Sequence, residues 1–265
     1  PAAALDGKVA IVTGSTRGIG ADIARVLAAC GAHVVVLGLE HDSGAALAEE
    51  LGQQAMFSAT DVEQDADIDA CIASVLARFG RIDILVNNAC TYVDNGLAST
   101  REQWQQALGV NLVSAAIFAQ KAVPHMGSGG VIVNLGSTGG KFGAAGRALY
   151  PASKAALLQL TKNLAVTLAP RGIRVLAVSP AWTWSPAIEQ LSRGSRADAD
   201  AVAAPFHPLG RVGDGREIGN AVAFLASSAA ALASIFASKA SRCSGVMSLP
   251  PTITRLTTRL PSFSI

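Results

Sequence analysis

Short runs of mostly apolar residues recur along most of the chain. The clearest lie at 9–12, 34–37, 84–86, 131–135 and 173–178. Such runs are typical of strands that are buried on both faces of a sheet. Helical patterns of about ten or more residues separate them, which indicates repeated βαβ units. The pattern predicts an α/β protein, a single domain whose parallel sheet is covered on both faces.

Glycines follow the first predicted strand in the segment Thr13-Gly14-Ser15-Thr16-Arg17-Gly18-Ile19-Gly20, and an amphipathic segment follows at 21–30. A glycine turn between a strand and a helix presents backbone N–H groups and the helix dipole to an anion. The spacing G-x-x-x-G-x-G differs from the commoner dinucleotide fingerprint G-x-G-x-x-G. The segment predicts a phosphate site, although a tight turn without a ligand has the same pattern.

Tyr150 and Lys154 lie four residues apart in an apolar helical segment, and Ser137 precedes them. This spacing places the phenol and the ammonium on one face of the helix, one turn apart. An unperturbed tyrosine titrates near pH ~10, and an adjacent cation is expected to lower that pKa. The pair therefore suits acid–base chemistry, although Tyr-x-x-x-Lys alone is common by chance.

Taken together, these segments resemble the short-chain dehydrogenase/reductase family, over roughly residues 5–228. The matching motifs occur in the family's order: Thr13-Gly14-x-x-x-Gly18-Ile19-Gly20, Asp61-Val62, Asn87-Asn88-Ala89, Asn111, Ser137, Tyr150-x-x-x-Lys154 and Pro180. The resemblance implies a doubly wound Rossmann-type catalytic domain at 1–228, with helices on both faces of the parallel sheet and a substrate lid at about 182–207. An atypical basic, Ser/Thr-rich tail then occupies 229–265.

The resemblance also implies roles for four catalytic residues. Tyr150 would be the general acid/base, and Lys154 would lower its pKa and bind the nicotinamide ribose. Ser137 would hold the substrate oxygen, and Asn111 would complete a proton relay through water to Lys154. A turn serine and a satisfied core amide remain alternatives for Ser137 and Asn111. No metal site is expected.

The implied cofactor is NADP or NAD. Its expected contacts are Gly14, Ser15, Arg17, Gly18, Ile19, Asp61, Val62, Asn88, Ala89, Tyr150, Lys154, Pro180 and Thr183. An acidic residue after the second strand accepts from the NAD ribose, whereas an arginine there pairs with the NADP 2′-phosphate. The strand ends Gly38-Leu39-Glu40, which carries neither signal at the family's positions. Arg17 slightly favours NADP, and Glu40 opposes it.

The implied reaction interconverts a secondary alcohol and a ketone by hydride transfer, as in a short-chain alcohol dehydrogenase or ketoreductase. Tyr92, Thr138 and Phe142 are expected in the pocket wall, with Trp184 and Phe206 in the lid. This lining favours an apolar or mixed small-molecule substrate. The alternative is a catalytically silent nucleotide-binding module that acts as a sensor or structural subunit. The intact catalytic set argues against that alternative.

Cysteine and charge patterns add expectations about the surroundings. Four scattered cysteines without a C-x-x-C pair indicate a reducing, cytoplasmic location. Cys90 replaces a family glycine, and the sequence suggests no histidine partner that would make it a nucleophile. No signal peptide is visible. Four basic residues follow Glu217, the last acidic one, but a solvated tail is favoured over nucleic acid or membrane binding. The uncharged stretch 218–238 is expected to begin as a surface helix.

The tail departs from the family's usual last strand, for which 245–249 is the remaining candidate. Its abrupt loss of acidic residues suggests a reading-frame change.

The helices at 100–126 and 150–169 are expected to pair across a two-fold axis through Leu112, Ile117, Leu157 and Leu164. A homodimer is therefore predicted, and the family's usual homotetramer, which also uses the last strand, is predicted to be weakened or absent.

Overall fold

The computed structural model describes residues 4–231 and contains one parallel sheet. Its six strands run in the order β3-β2-β1-β4-β5-β6. They are β1 Val9–Val12, β2 His33–Gly38, β3 Ala55–Ala59, β4 Ile82–Asn87, β5 Met126–Leu135 and β6 Arg174–Val178. The chain moves outward in one direction from β1 to β3 and then returns to start β4 beside β1. The doubly wound α/β fold predicted from the sequence is confirmed, and its switch point lies between β1 and β4.

Helices cover both faces of this sheet. They are α1 Gly18–Ala29, α2 His41–Leu51, α3 Asp65–Phe79, α4 Arg101–Leu108, α5 Ser114–Ala122, α6 Leu149–Leu168, α7 Pro186–Leu191, α8 Arg196–Ala203 and α9 Gly215–Ala226. A π-helical turn, Gly109–Val113, joins α4 to α5. Helix α1 begins three residues before the segment predicted from its amphipathic pattern, because its first turn consists of the glycine motif itself.

Two hydrophobic clusters explain the apolar runs. Ala10 and Val12 of β1 pack on one face with Leu27 of α1 and Val222 of α9. Val9 and Ile11 point to the other face, where they join residues of α3 and α5 such as Ile68 and Phe118. Both faces of β1 are therefore packed against apolar side chains and shielded from water. Strand β3 escaped prediction because it lies at the sheet edge, where Ala55 alone among its residues is buried.

Two stretches of the chain combine length with an apolar composition, 218–238 and Arg101–His125. Helix α9 ends at Ala226, where the Arg174 guanidinium donates to the carbonyl oxygens of Leu225 and Ser227 at 2.6 and 3.0 Å. The stretch 218–238 is thus not one continuous helix, although its last residues lie outside the described ones. The helical run Arg101–His125 is long and apolar enough to cross a membrane, with mean hydropathy 1.3, but 44% of that window is buried. Core helices pass the same test, so this is weak support for a membrane span.

The helix faces predicted to pair in a dimer are largely used within the chain. Leu157 is buried within the chain, so its predicted contact across the two-fold axis is wrong. Ile117 and Leu164 pack partly against the core. Val113 and Val166 are instead the half-exposed apolar residues on these helices. The dimer stays a prediction, and the candidate strand at 245–249 lies outside the described residues.

Candidate functional site

The glycine loop lies at the carboxyl end of β1 and is closely packed. Gly14 has φ +60°, and a Cβ added there would lie 2.8 Å from the Cα of Ala89. A Cβ on Gly20 would collide with the carbonyl oxygen of Gly14. Gly18, with φ +58°, faces Pro186 at the start of the lid helices. Side chains at these positions would fill the space, so glycine is required for the loop's shape.

Asn88 and Ala89, at the carboxyl end of β4, hold this loop in place. The backbone N–H groups of both residues donate to Thr13 Oγ1 at 2.9 Å. The Asn88 side-chain amide donates to the carbonyl oxygens of Thr13 and Gly14, also at 2.9 Å. The family motif that contains Asn88 therefore fixes the glycine loop from the neighbouring strand. Its predicted contact with the ribose stays a prediction.

Ser15 has a structural role that the sequence did not indicate. Its hydroxyl is fully buried, donates to the Val12 carbonyl oxygen at 2.6 Å and accepts from the Leu37 N–H at 3.0 Å. The Ser15 N–H donates to the Leu37 carbonyl oxygen at 2.8 Å. Ser15 thus links β1 to β2, and its donors are already engaged. We correct its predicted role from phosphate contact to loop structure.

The N-terminus of α1 fits a dinucleotide phosphate. Among the described residues, no side chain caps this helix, and its first turn contains no acidic residue. The N–H groups near Gly18 and Ile19 therefore face the crevice in a glycine cradle, with the positive end of the helix dipole behind them. This arrangement fits the pyrophosphate of NAD or NADP and supports the predicted roles of Gly14, Gly18 and Ile19.

An acidic side chain lies just beyond β2, although the strand itself ends in Gly38. Thr16 Oγ1 donates to Glu40 Oε2 at 2.7 Å, and Arg17 Nη2 lies 3.2 Å from Glu40 Oε1. A Cβ on Gly38 would lie 3.5 Å from Glu40 Oε2. The hydrogen bond from Thr16 is the main cause that lowers the Glu40 pKa. An ionised carboxylate therefore occupies the neighbourhood that usually discriminates between NAD and NADP.

The remaining predicted cofactor residues lie at the same edge of the sheet. Asp61 and Val62 follow β3, where Asp61 Oδ1 accepts from the Glu63 N–H at 3.0 Å. Pro180 follows β6, and its carbonyl oxygen accepts from the Thr138 N–H at 3.0 Å. Thr183 is buried, and its hydroxyl donates to the Ala181 carbonyl oxygen. The structure thus brings these residues to one crevice, while their individual cofactor contacts stay predictions.

Ser137, Tyr150 and Lys154 converge beyond the end of β5. Ser137 Oγ accepts from the Gly139 N–H at 3.1 Å, and a Cβ added to Gly139 would lie 3.4 Å from this oxygen and 3.7 Å from the Tyr150 ring. Lys154 is buried, and its Nζ lies 5.8 Å from the centroid of the Tyr150 ring. Nζ donates to the Leu135 carbonyl oxygen at 2.8 Å. One hydroxyl, one phenol and one ammonium therefore share a small, mostly dry region.

Burial dominates the acidity of Tyr150. It raises the pKa of this phenol to about 12, with a further increase from nearby Cys90. The polar side chain of Ser137 and the charge of Arg147 act in the opposite direction but are outweighed. The expectation that Lys154 lowers this pKa below its ordinary value is wrong for this arrangement. Tyr150 therefore holds its proton at neutral pH.

Asn111 lies in the π-helical turn and is almost fully buried. Its Oδ1 accepts from the Thr91 N–H at 2.7 Å, and its Nδ2 donates to the Thr91 carbonyl oxygen and to Ser153 Oγ at 3.0 Å. The amide thus ties the loop after β4 to helix α6. These contacts fit the alternative of a satisfied core amide, and the proton relay to Lys154 stays a prediction.

The segment 90–94, after β4, adds three side chains to the site. Burial raises the pKa of the Cys90 thiol against the lowering effect of Lys154, which keeps the thiol protonated and argues against a nucleophile. The Tyr92 ring stacks on Tyr150, with centroids 5.2 Å apart. Asp94 binds the backbone at the start of α6. Sequence reasoning missed Asp94, and its position shortly after the Asn-Asn-Ala motif was the available signal.

A buried polar chain beneath the site was also missed. Asn87 Nδ2 donates to Asn134 Oδ1, and Asn134 Nδ2 donates to Thr161 Oγ1, both at 2.8 Å. These contacts connect β4, β5 and helix α6. A signal existed, because Asn134 interrupts the apolar run of β5. This series of hydrogen-bonded side chains fixes the strand ends that precede Asn88 and Ser137.

The predicted lid contains two short helices, α7 and α8. A small hydrophobic cluster, separate from the two clusters that cover the sheet, includes Trp184, Ala199 and Val212. Trp182 lies beside Phe206, with ring centroids 6.1 Å apart, and Phe206 is largely exposed. The lid therefore presents aromatic side chains, as its sequence suggested.

Known proteins are similar to this chain in sequence. The model of the enoyl-(acyl carrier protein) reductase family matches residues 14–234. The 3-oxoacyl-(acyl-carrier-protein) reductase FabG of Escherichia coli is 38% identical over 229 residues, which cover 85% of this chain and 92% of that protein. L-fucose dehydrogenase of Oryctolagus cuniculus is 36% identical over 228 residues, 84% of this chain and 80% of that protein. An uncharacterized short-chain type dehydrogenase/reductase of Sinorhizobium fredii is 39% identical over 228 residues, but the match spans 41% of its length. The chain belongs to the short-chain dehydrogenase/reductase family of NAD- or NADP-dependent oxidoreductases that act on small molecules.

Proposed function

We propose that this protein interconverts a secondary alcohol and a ketone, with Tyr150 as the general acid/base. The observation that carries the proposal is the convergence of Ser137, Tyr150 and Lys154 beside the glycine loop. The position agrees with the rule that ligands of open α/β sheets bind beyond the carboxyl ends of the strands. A bound nicotinamide supplies or accepts the hydride in such a site.

The proton chemistry follows from the side chains. In reduction, the Tyr150 hydroxyl donates its proton to the carbonyl oxygen as negative charge develops there. Ser137 Oγ, which lies beside the Tyr150 side chain, orients the same oxygen. The Lys154 ammonium stabilises the phenolate that remains, because an opposite charge nearby favours the ionised form. With a pKa of about 12, Tyr150 is protonated at neutral pH and enters the reduction as the acid.

We propose NAD as the preferred cofactor, in place of the slight sequence-based preference for NADP. Glu40 supports this choice, since its lowered pKa leaves a carboxylate near the end of β2 that suits a ribose hydroxyl and repels a 2′-phosphate. Arg17 is paired with that carboxylate and is not free to bind a phosphate without breaking the pair.

The substrate belongs, in this proposal, to the apolar or mixed ketones. Tyr92 and Phe142 are exposed near the catalytic group, and Trp182 and Phe206 are exposed on the lid. Aromatic side chains at the mouth of a site suit a hydrocarbon body with few polar contacts. The names of the relatives cover acyl, sugar and cyclic compounds, including cis-4-hydroxycyclohexanecarboxylate for a dehydrogenase of Sinomonas cyclohexanicum. A panel of ketones of each kind is therefore the starting point.

The decisive experiment compares Tyr150→Phe with Tyr92→Phe. The chain has two tyrosines, so the second variant is a matched control that removes a stacked phenol hydroxyl from the same site. After a substrate is found with either nicotinamide, Tyr150→Phe should lower turnover by roughly 10²–10⁴-fold, the usual contribution of a positioned general acid. Tyr92→Phe should keep most of it. Near-native turnover of Tyr150→Phe, when chemistry limits the rate, would contradict the proposal. A lack of activity with every substrate would favour the silent nucleotide-binding module.

A further inference from the structure

The carboxylate of Asp94 binds the start of the helix that carries Tyr150. Oδ1 accepts from the N–H groups of Gly96 and Ala148 at 3.0 and 2.9 Å. Oδ2 accepts from the N–H groups of Ala148 and Tyr150, both at 3.1 Å. Asp94 is 56 residues before Tyr150 in the chain, so this is a tertiary contact and not a local turn.

Helix α6 depends on this outside carboxylate at its first turn. Its N-cap residue, Ala148, provides no side-chain acceptor, although the first N–H groups of a helix lack partners within it. Asp94 fills that place, and a carboxylate also interacts favourably with the positive end of the helix dipole. Burial opposes ionisation of Asp94, but the hydrogen bonds from the backbone outweigh it and lower its pKa. The acceptor is therefore a charged one.

Neighbouring residues of the same segment contact two more of the candidate catalytic side chains. Thr91 exchanges two backbone hydrogen bonds with the Asn111 amide. Tyr92 stacks on the Tyr150 ring at a centroid distance of 5.2 Å and an interplanar angle of 23°. The segment 91–94 thus fixes Tyr150 twice, by its ring and by its backbone.

We propose that Asp94 is a positioning residue for the reaction and acts through the Tyr150 backbone. This inference rests on the proposed function of Tyr150. By holding Tyr150 N–H, Asp94 sets the height of the phenol along the axis of α6, and hence its distance from Ser137 and from the substrate oxygen. Displacement of a reacting group by about 1 Å can cost on the order of 10²-fold in rate.

Asp94→Asn is the sharpest test, because it retains one acceptor oxygen and removes the other together with the charge. Whichever way the amide turns, one side loses its acceptor: either the oxygen that accepts from the Ala148 and Tyr150 N–H groups or the oxygen that accepts from those of Gly96 and Ala148. Thr100→Ala is the matched control. Thr100 caps helix α4 in the same way, accepting from the Gln103 N–H at 3.3 Å, but it does not contact Tyr150. It reports the effect of losing a helix cap in general.

Wild type, Tyr150→Phe, Asp94→Asn and Thr100→Ala are compared by steady-state kinetics, cofactor titration and hydrogen exchange of the folded proteins. We expect kcat of Asp94→Asn to fall roughly 10- to 100-fold, with cofactor Kd unchanged within about two-fold. The Tyr150 amide should lose protection. Thr100→Ala should keep its kcat and its Tyr150 protection, even if it unfolds at a similarly lowered temperature.

Other outcomes overturn the inference in distinguishable ways. If Tyr150→Phe is inactive but Asp94→Asn keeps its kcat within about two-fold, Asp94 is only a helix cap and the proposed function stands. An equal loss of kcat in Thr100→Ala would show a general effect of reduced stability. If Tyr150→Phe retains turnover, the proposed function fails and the positioning role fails with it. Should Asp94→Asn not fold, Asp94→Ser keeps a short acceptor, and unchanged Tyr150 protection and kcat in that variant would also refute the inference.

Discussion

Glu40→Gln tests whether this carboxylate selects between NAD and NADP. Glu40 accepts from Thr16 at 2.7 Å and pairs with Arg17 at 3.2 Å. Glutamine has nearly the same shape and still offers an oxygen to Thr16, but it carries no charge. The change therefore removes electrostatic repulsion while it leaves the loop intact.

The magnitude follows from exposure and Coulomb's law. The side chains of Arg17 and Glu40 are 66% and 42% exposed, so their ion pair contributes at most about 1 kcal/mol. Two unit charges about 5 Å apart interact with about 0.8 kcal/mol in water and about 3 kcal/mol at an effective dielectric constant of 20. A half-exposed carboxylate lies between these limits. Glu40→Gln should therefore improve NADP affinity roughly 5- to 150-fold.

NAD should respond in the opposite direction. A hydrogen bond to a charged group contributes about 1.5–3 kcal/mol, and one between neutral groups about 0.5–1.5 kcal/mol. Glutamine keeps the neutral bond to the ribose hydroxyl, so NAD affinity should fall by about 1 kcal/mol, or roughly five-fold. The two effects together move the preference from NAD toward NADP.

Titration of both cofactors into wild type, Glu40→Gln and Arg17→Ala, at low and high salt, provides the measurement. The gain in NADP affinity should shrink at high salt, because surface charges are screened. Arg17→Ala is the companion variant; because Arg17 must leave Glu40 to reach a 2′-phosphate, its loss should weaken NADP by less than the about 1.5–3 kcal/mol of a free charged contact, while NAD changes little. A wild type that already prefers NADP, or a Glu40→Gln variant whose affinities change equally for both cofactors, would refute this reasoning.

Two further predictions concern stability and assembly. Burial alone would raise the pKa of Asp83, but its hydrogen bonds from Arg81 and Val9 outweigh burial and lower that pKa. Because this pKa is lowered in the folded state, ionised Asp83 stabilises the fold above the unfolded pKa near ~3.9, and the stabilisation disappears as the pH falls below that value. Asp83→Asn should therefore lower the free energy of unfolding by about 1.5–3 kcal/mol at pH 7 and should be as stable as wild type in acid. A difference in urea unfolding that does not depend on pH would contradict this prediction. We also expect a homodimer through α4, α5 and α6, including exposed Val113 and Val166; sedimentation of Val166→Glu should give a monomer, whereas a wild-type monomer, or a stable wild-type tetramer, would contradict the prediction.

The sequence predicted the parts of the fold that depend on repeating local patterns. Strand β1 is apolar at every position because its side chains enter both clusters, and that pattern is visible without a structure. Strand β3 was missed because an edge strand has exposed positions and no continuous apolar run. The glycine loop was recognisable because positive φ and close backbone contacts leave glycine as the fitting residue. The same local pattern did not reveal that the Ser15 hydroxyl is buried between two strands.

The direction of the Tyr150 pKa shift was harder to predict than the positions of Tyr150 and Lys154. The spacing of Tyr150 and Lys154 correctly places both side chains on one helix face, but the sign of the pKa shift depends on solvent exclusion by groups from other elements. Cys90 and Tyr92 come from the loop after β4, 58 or more residues away, and Cys90 adds to the rise in the Tyr150 pKa. Desolvation is a property of the assembled site, so the ammonium one turn away could not decide the sign.

The segment after β4 shows why positioning residues escape a reading of motifs. A motif identifies the groups that react, and Tyr150, Ser137 and Lys154 carry that signal. Asp94 does not react in the proposal; it acts through backbone N–H groups that every residue except proline possesses, so nothing at the Tyr150 end of the contact is specific in the sequence. Its carboxylate is recognisable only when the start of α6 lacks a cap of its own and a distant loop supplies one. Positioning residues of this kind therefore occur where a backbone donor beside a reacting side chain has no acceptor in its own helix or turn.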